Sequence, residues 1–172
     1  MFKLAGVGRG NPNADTSIRR QQPAEIRIQT ELTDLDLPTN CNLTFPDKDD
    51  LLNFRLAIKP DEGFWKGGIF QFSFSIKPMY PHEAPKVLCL QKVYHPNIDL
   101  EGHVCLNILR EDWKPILSIS SCVYGLLHLF LEPNPNDPLN KEAAEELRKD
   151  KDGFKRSVER SLRGYGGYSQ VL

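Results

Sequence analysis

The spacing of apolar and polar residues changes character twice along this chain, and the changes mark its elements. From Pro23 onward, Ile28, Leu32 and Leu35 recur at i, i+4 and i+7, which predicts a helix with one stripe facing a core. Pro23 suits a first helical turn and Pro38 stops the pattern. The period then falls to two. Leu52, Phe54, Leu56 and Ile58 alternate with Asn53, Arg55 and Ala57, and Phe70, Phe72, Phe74 and Ile76 alternate with Gln71, Ser73 and Ser75. Each run predicts a strand with one buried face. Shorter strands are predicted near Leu43–Phe45 and through Val87–Leu90. The turn residues Asp61-Glu62-Gly63 and Gly67-Gly68 and the short links favour an antiparallel meander.

The helical period returns at Ile119, Cys122, Val123, Leu126, Leu127 and Phe130, with Ser118 placed as an N-cap and Pro133 beyond the end. Asn140 is placed to cap a third helix holding Ala143, Ala144 and Leu147. Phe154, Val158 and Leu162 mark a fourth, stopped by Gly164. The tail Gly164-Tyr165-Gly166-Gly167-Tyr168 is expected to be loose. Helix, then strands, then helices is the order of an α+β fold.

Residues 1–22 break every period with Gly6, Gly8, Gly10, Pro12 and several Asn, and are expected to form a flexible arm before one folded domain, 23–172. The chain has 172 residues, 40% hydrophobic and 26% charged, with a formal net charge of -1. That balance makes no electrostatic case for nucleic acid or an anionic membrane. No apolar run is long enough to span a bilayer, and Met1-Phe2-Lys3-Leu4 lacks the apolar region of a secretion signal. Cys41, Cys89, Cys105 and Cys122 include no close pair. This argues against a zinc site or a disulfide framework, and for reduced thiols inside a cell.

Two irregular segments hold the candidate chemistry. The first runs from Tyr94-His95-Pro96-Asn97 through the turn Glu101-Gly102 to Cys105, with Trp113-Lys114-Pro115 following. A loop presenting a Cys and an Asn suits acyl-thioester chemistry: a thiolate attacks, and a carboxamide can donate to an oxyanion. Cys122, Cys89 and Cys41 read instead as small buried hydrophobes. His103 reads as solvent-facing rather than as the partner of a Cys hydrolase, His95 as a ring that orders its loop, and no histidine shows metal-ligand spacing. The second segment, Glu132-Pro133-Asn134-Pro135-Asn136-Asp137-Pro138, is stiffened by three prolines. It reads either as a connector or as a gate in which Asp137 orients an incoming lysine and helps take up its proton.

Taken together, His95-Pro96-Asn97, Cys105-Leu106-Asn107-Ile108-Leu109, Trp113-Lys114-Pro115, Tyr80-Pro81 with Ala84-Pro85, and Asn134-Pro135-Asn136-Asp137-Pro138 resemble the ubiquitin-conjugating enzyme family, from about Ala24 to Arg163. Asp49–Phe54, Pro60–Phe64, Asp99–Gly102, Asn107–Pro115 and Asp137–Glu145 resemble its branch serving the Nedd/Rub-type ubiquitin-like modifier. The resemblance implies an N-terminal helix, a four-stranded antiparallel meander and C-terminal helices. It implies that Cys105 takes the modifier as a thioester from a heterodimeric activating enzyme and passes it to a lysine, with cullins as targets and a RING-type ligase and co-ligase assisting. It gives Asn97 a loop-supporting and oxyanion-stabilising role, His95 and Pro96 loop support, and Asp137 and Asn134 the shaping of the lysine's approach. Met1, Phe2 and Leu4 become a docking tail for the activating enzyme or co-ligase. No cofactor and no metal are expected, because ATP is consumed by the activating enzyme. A monomer in cytoplasm and nucleus is expected. A ubiquitin-conjugating enzyme proper and a non-catalytic modifier-binding scaffold are the alternatives.

Overall fold

The computed structural model describes residues 22–171; the expected docking residues Met1, Phe2 and Leu4 lie outside them. Helix α1, Pro23–Thr33, is followed by strands β1, Cys41–Thr44, β2, Asn53–Ile58, β3, Phe70–Ser75, and β4, Lys86–Cys89. Helices α2, Ile119–Leu131, α3, Lys141–Lys149, and α4, Lys151–Leu162, complete the order. The sheet runs β1-β2-β3-β4 with every neighbour antiparallel. This is the α+β meander that the alternating runs predict.

Helix α1 stops at Thr33, short of the Leu35 that its period includes. Leu35 and Leu37 still pack on the core, but from the irregular segment that follows the helix. The other helix starts follow the capping residues. Ser118 Oγ accepts from the Ser121 N–H at 3.4 Å, Asn140 Oδ1 from Ala143 at 3.1 Å, and Asp150 Oδ1 from Gly153 at 2.8 Å. Each bond satisfies an amide that the first helical turn leaves unpaired.

The register explains the core. Phe54 lies opposite Phe74, and Leu56 opposite Phe72, so the buried faces of β2 and β3 coincide. The Phe54 and Phe74 rings stack at 5.0 Å. Phe130 of α2 stacks on Phe70 at 4.5 Å and meets Phe72 edge-on at 6.1 Å, which seats α2 on the sheet. Burying an aromatic of this size contributes about 1.5–3 kcal/mol. Trp65, between β2 and β3, is fully buried, and its Nε1 donates to the Tyr94 carbonyl at 3.1 Å.

The tail differs from expectation. Gly164 takes φ +84 as the helix stop, but the following residues fold back onto the core. The Val171 N–H donates to Leu162 and its carbonyl accepts from Ile69, while Tyr168 packs edge-on against Tyr94 at 5.6 Å. The glycines turn the chain, and the apolar Tyr168 and Val171 anchor it. Among the described residues, no helix is long and apolar enough to cross a membrane.

Candidate active site

Three consecutive residues hold the segment that joins α2 to α3. His95, fully buried, lies against the end of α2, where its Nε2 donates to the Leu129 carbonyl at 2.9 Å. Its Nδ1 accepts from the Asn97 N–H at 2.9 Å. A carbonyl can only accept and an amide N–H can only donate, so the ring is the neutral Nε2–H tautomer. Burial lowers its pKa to about 4, which keeps it in that form. The ring also stacks on Trp65 at 4.3 Å. The carbonyl of Pro96 accepts from both Leu139 and Asn140, at 2.9 and 3.0 Å.

Asn97, 1% exposed, completes the brace. Its Nδ2 donates to the Asn134 carbonyl at 2.7 Å and to that of Asp137 at 3.4 Å, and its Oδ1 accepts from the Asn134 N–H at 2.9 Å. Its own carbonyl accepts from the Cys105 N–H at 2.8 Å. One residue therefore joins the thiol-bearing segment to the proline-rich loop. With these bonds made, the Asn97 amide supports the loop; a direct contact to an oxyanion requires one of its donor bonds to open. Asn134 contributes its main chain to this clasp, while its Oδ1 accepts from the Asn136 N–H at 2.9 Å.

The clasp brings Asp137 to Cys105. The thiol donates to Asp137 Oδ2 at 3.1 Å, across 32 positions of sequence. Arg110 Nη2 donates to the same sulfur at 2.9 Å and approaches Asp137 Oδ2 at 3.4 Å. Cys105 is 7% exposed and lies on the wall of a groove shared with β4 and the β3–β4 loop. Burial pushes its thiol up to about 11; the bond to Asp137 adds to the rise, and the Arg110 charge opposes it. Cys41, Cys89 and Cys122 are raised by burial too, to about 11, 11 and 12, but none touches both a carboxylate and a guanidinium. His103 is exposed and held by Asp99, 2.8 Å away.

Arg110 escapes a reading of residue types. It stands five positions after Cys105, and the intervening turn of 3-10 helix, Asn107–Leu109, folds it back over the sulfur. Trp65, which backs the His95 ring, is likewise marked by no local pattern.

A family model described as ubiquitin-conjugating enzyme matches residues 27–162. The chain belongs to the ubiquitin-conjugating enzyme family. It is 56% identical over 164 residues to the Nedd8-conjugating enzyme UbcE2M of Drosophila melanogaster, covering 95% of this chain and 91% of that protein. It is 54% identical over 149 residues to the NEDD8-conjugating enzyme Ubc12 of Arabidopsis thaliana, covering 86% and 81%. The solved structure of S. cerevisiae Ubc12 matches with a TM-score of 0.82 at 44% identity, covering 87% of this chain and 86% of that one. The conjugating-enzyme fold implied by the sequence motifs is the fold observed, and the chain is a transferase of this family.

Proposed function

We propose that this chain accepts a NEDD8-type modifier from its activating enzyme as a Cys105 thioester and transfers it to a target lysine, with cullins as the targets. The observation that supports the chemistry is the position of the Cys105 thiol between Asp137 and Arg110, on a loop braced through Asn97. The relatives named for NEDD8 conjugation support the choice of cargo.

The reaction divides in two. In loading, Cys105 Sγ attacks the modifier's carboxy-terminal carbonyl and the sulfur of the activating enzyme leaves. In discharge, a neutral lysine amine attacks the Cys105 thioester, a C–N bond replaces the C–S bond, and the thiolate leaves. A thioester is already activated, so the chain needs no cofactor of its own and no strong base at the sulfur. Asp137 orients the amine and takes up its proton, and the main chain of Asn134 fixes the loop from which Asp137 projects. Phe2 and Leu4 dock on the activating enzyme, Met1 meets the co-ligase, and a RING-type ligase and the co-ligase direct discharge. Four free cysteines favour a reducing compartment, the cytoplasm and nucleus.

Parallel charging reactions with the NEDD8-type modifier and with ubiquitin, each with its own activating enzyme and ATP, test the cargo. The proposal predicts a reductant-sensitive adduct with the NEDD8-type modifier. An adduct with ubiquitin alone would keep the chemistry and overturn the cargo. Removing residues 1–22 is predicted to slow loading without slowing discharge of enzyme already charged.

A further inference from the structure

We propose that Arg110 is a catalytic residue: its guanidinium stabilises the Cys105 thiolate, both as the nucleophile in loading and as the leaving group in discharge. This rests on the reading of Cys105 as the acyl carrier. The geometry carries it. Nη2 stands 2.9 Å from Sγ and 3.4 Å from Asp137 Oδ2, so one cation serves the sulfur and the carboxylate that holds the sulfur's proton.

Asp137 alone favours the protonated thiol, since its oxygen accepts the S–H and its charge opposes a second anion beside it. Glu111, 3.6 Å from the Arg110 Nε, acts on the sulfur in the same direction. Arg110 is the cation in direct contact with Sγ. Lys77, His82, Glu83, Lys86 and His103 line the same groove, and none of them makes a hydrogen bond to the sulfur. Loss of the thiol proton to Asp137 leaves a thiolate with a charge-assisted N–H···S bond already in place. In loading, the Sγ–carbon bond then forms, the activating enzyme's sulfur departs with the electron pair of its C–S bond, and the thiol proton passes from Asp137 to solvent. In discharge, the electron pair of the breaking C–Sγ bond moves onto Sγ, where Arg110 meets it. The proton lost by the amine goes to Asp137, and solvent later returns one to the thiolate.

The arrangement also separates the states of the enzyme. A thioester sulfur carries no negative charge, so once loading is complete the guanidinium no longer faces the transient thiolate but keeps Asp137. The cation is thus retained beside the carboxylate until the leaving group forms.

The test is the pH dependence of Cys105 alkylation by iodoacetamide, followed by mass spectrometry of the Cys105 peptide. It is run on the full chain and on Arg110→Gln, Arg110→Lys and Lys86→Gln. It needs no modifier, so it remains readable if charging fails and the functional reading falls. Arg110→Gln is expected to move the alkylation midpoint up by about one pH unit, a roughly tenfold loss of thiolate at neutral pH. Arg110→Lys should restore part of the shift, and Lys86→Gln should leave the profile in place. In single-turnover discharge to free lysine, Arg110→Gln should be slower in the same order. An unchanged profile in Arg110→Gln would overturn the proposal. So would an equal shift in Lys86→Gln, which would assign the effect to the field of the whole groove, or a shifted profile with undiminished discharge.

Discussion

The side chain of Asn97 grips the main chain of Asn134 from both sides, its Nδ2 donating to the carbonyl at 2.7 Å and its Oδ1 accepting from the amide at 2.9 Å. This reciprocal pair makes the proline-rich loop an extension of the Cys105 segment, since the Cys105 amide hangs from the Asn97 carbonyl. Asn97→Ala removes both partners of Asn134 at once. It is expected to cost about 1–3 kcal/mol of stability through the unpaired peptide groups. It should also speed hydrogen exchange at the Asn134 amide and slow discharge more than loading. Slowed discharge with unchanged exchange at Asn134 would shift the weight from loop support to a direct contact with the oxyanion.

His95 makes a pH prediction whose sign follows from its depressed pKa. The unfolded ring titrates near 6.5 and the folded ring near 4, so between those values the unfolded state binds more protons. Stability therefore rises with pH through this window and is lost as pH falls from about 6.5. The loss between pH 7 and pH 5 should be about 2 kcal/mol, at 1.36 kcal/mol per pH unit below the unfolded pKa. His95→Gln retains a donor for the Leu129 carbonyl but has no titrating ring. Urea unfolding at the two pH values should show a lower stability at pH 7 and a smaller fall. Equal falls in the two proteins would contradict the assignment.

Gly102 sits at φ +90, where a Cβ would overlap the carbonyl oxygen of Cys89. Its own carbonyl accepts from the Cys89 amide at 2.8 Å, so this turn fixes the path from β4 to Cys105. Gly102→Ala combines a left-handed backbone with that overlap and should destabilise by about 2–4 kcal/mol, read by denaturant unfolding. Charging should fall with it, as the Cys105 segment is displaced. Gly67, at φ +86 with open space around it, is the contrast: Ala there should cost only about 1 kcal/mol.

Glu31 of α1 gathers three donors, two of them from distant segments. Its carboxylate accepts from the Tyr80 hydroxyl at 2.8 Å, from the Ile119 amide at the start of α2 at 2.8 Å, and from Arg27 Nε. Glu31→Ala strands the Tyr80 hydroxyl and the first amide of α2. A loss of about 3 kcal/mol is expected in chemical unfolding, with Tyr80→Phe alone costing about 1 kcal/mol.

Much of this architecture is written locally, and the reason is periodicity. Phe54, Leu56 and Ile58 alternate because one face of β2 is buried, and Ser118, Asn140 and Asp150 start helices through bonds within three residues. The outer limit of α1 and the docking of Tyr168 and Val171 are not local, because packing across the fold decides them. The site divides in the same way. Cys105 and the His95-Pro96-Asn97 brace stand out as motifs, whereas the partnership of Cys105 with Asp137 exists only once the loop is clasped. Arg110 lies inside the Asn107–Pro115 motif, but nothing in the sequence assigns it a role, since that role depends on a single 3-10 turn reversing the chain over the sulfur.

Cys105, alone among the four cysteines, is the proposed carrier of the modifier. The chain would be charged with ATP, the activating enzyme and the NEDD8-type modifier, its free thiols, buried ones included, blocked with iodoacetamide in denaturant, and the thioester then cleaved with reductant. A second, distinguishable alkylating label would read which thiol had been protected. The second label is expected on Cys105 only, with no adduct in Cys105→Ala and a reductant-resistant ester in Cys105→Ser. Protection of Cys41, Cys89 or Cys122 instead, or an adduct that survives in Cys105→Ala, would contradict it.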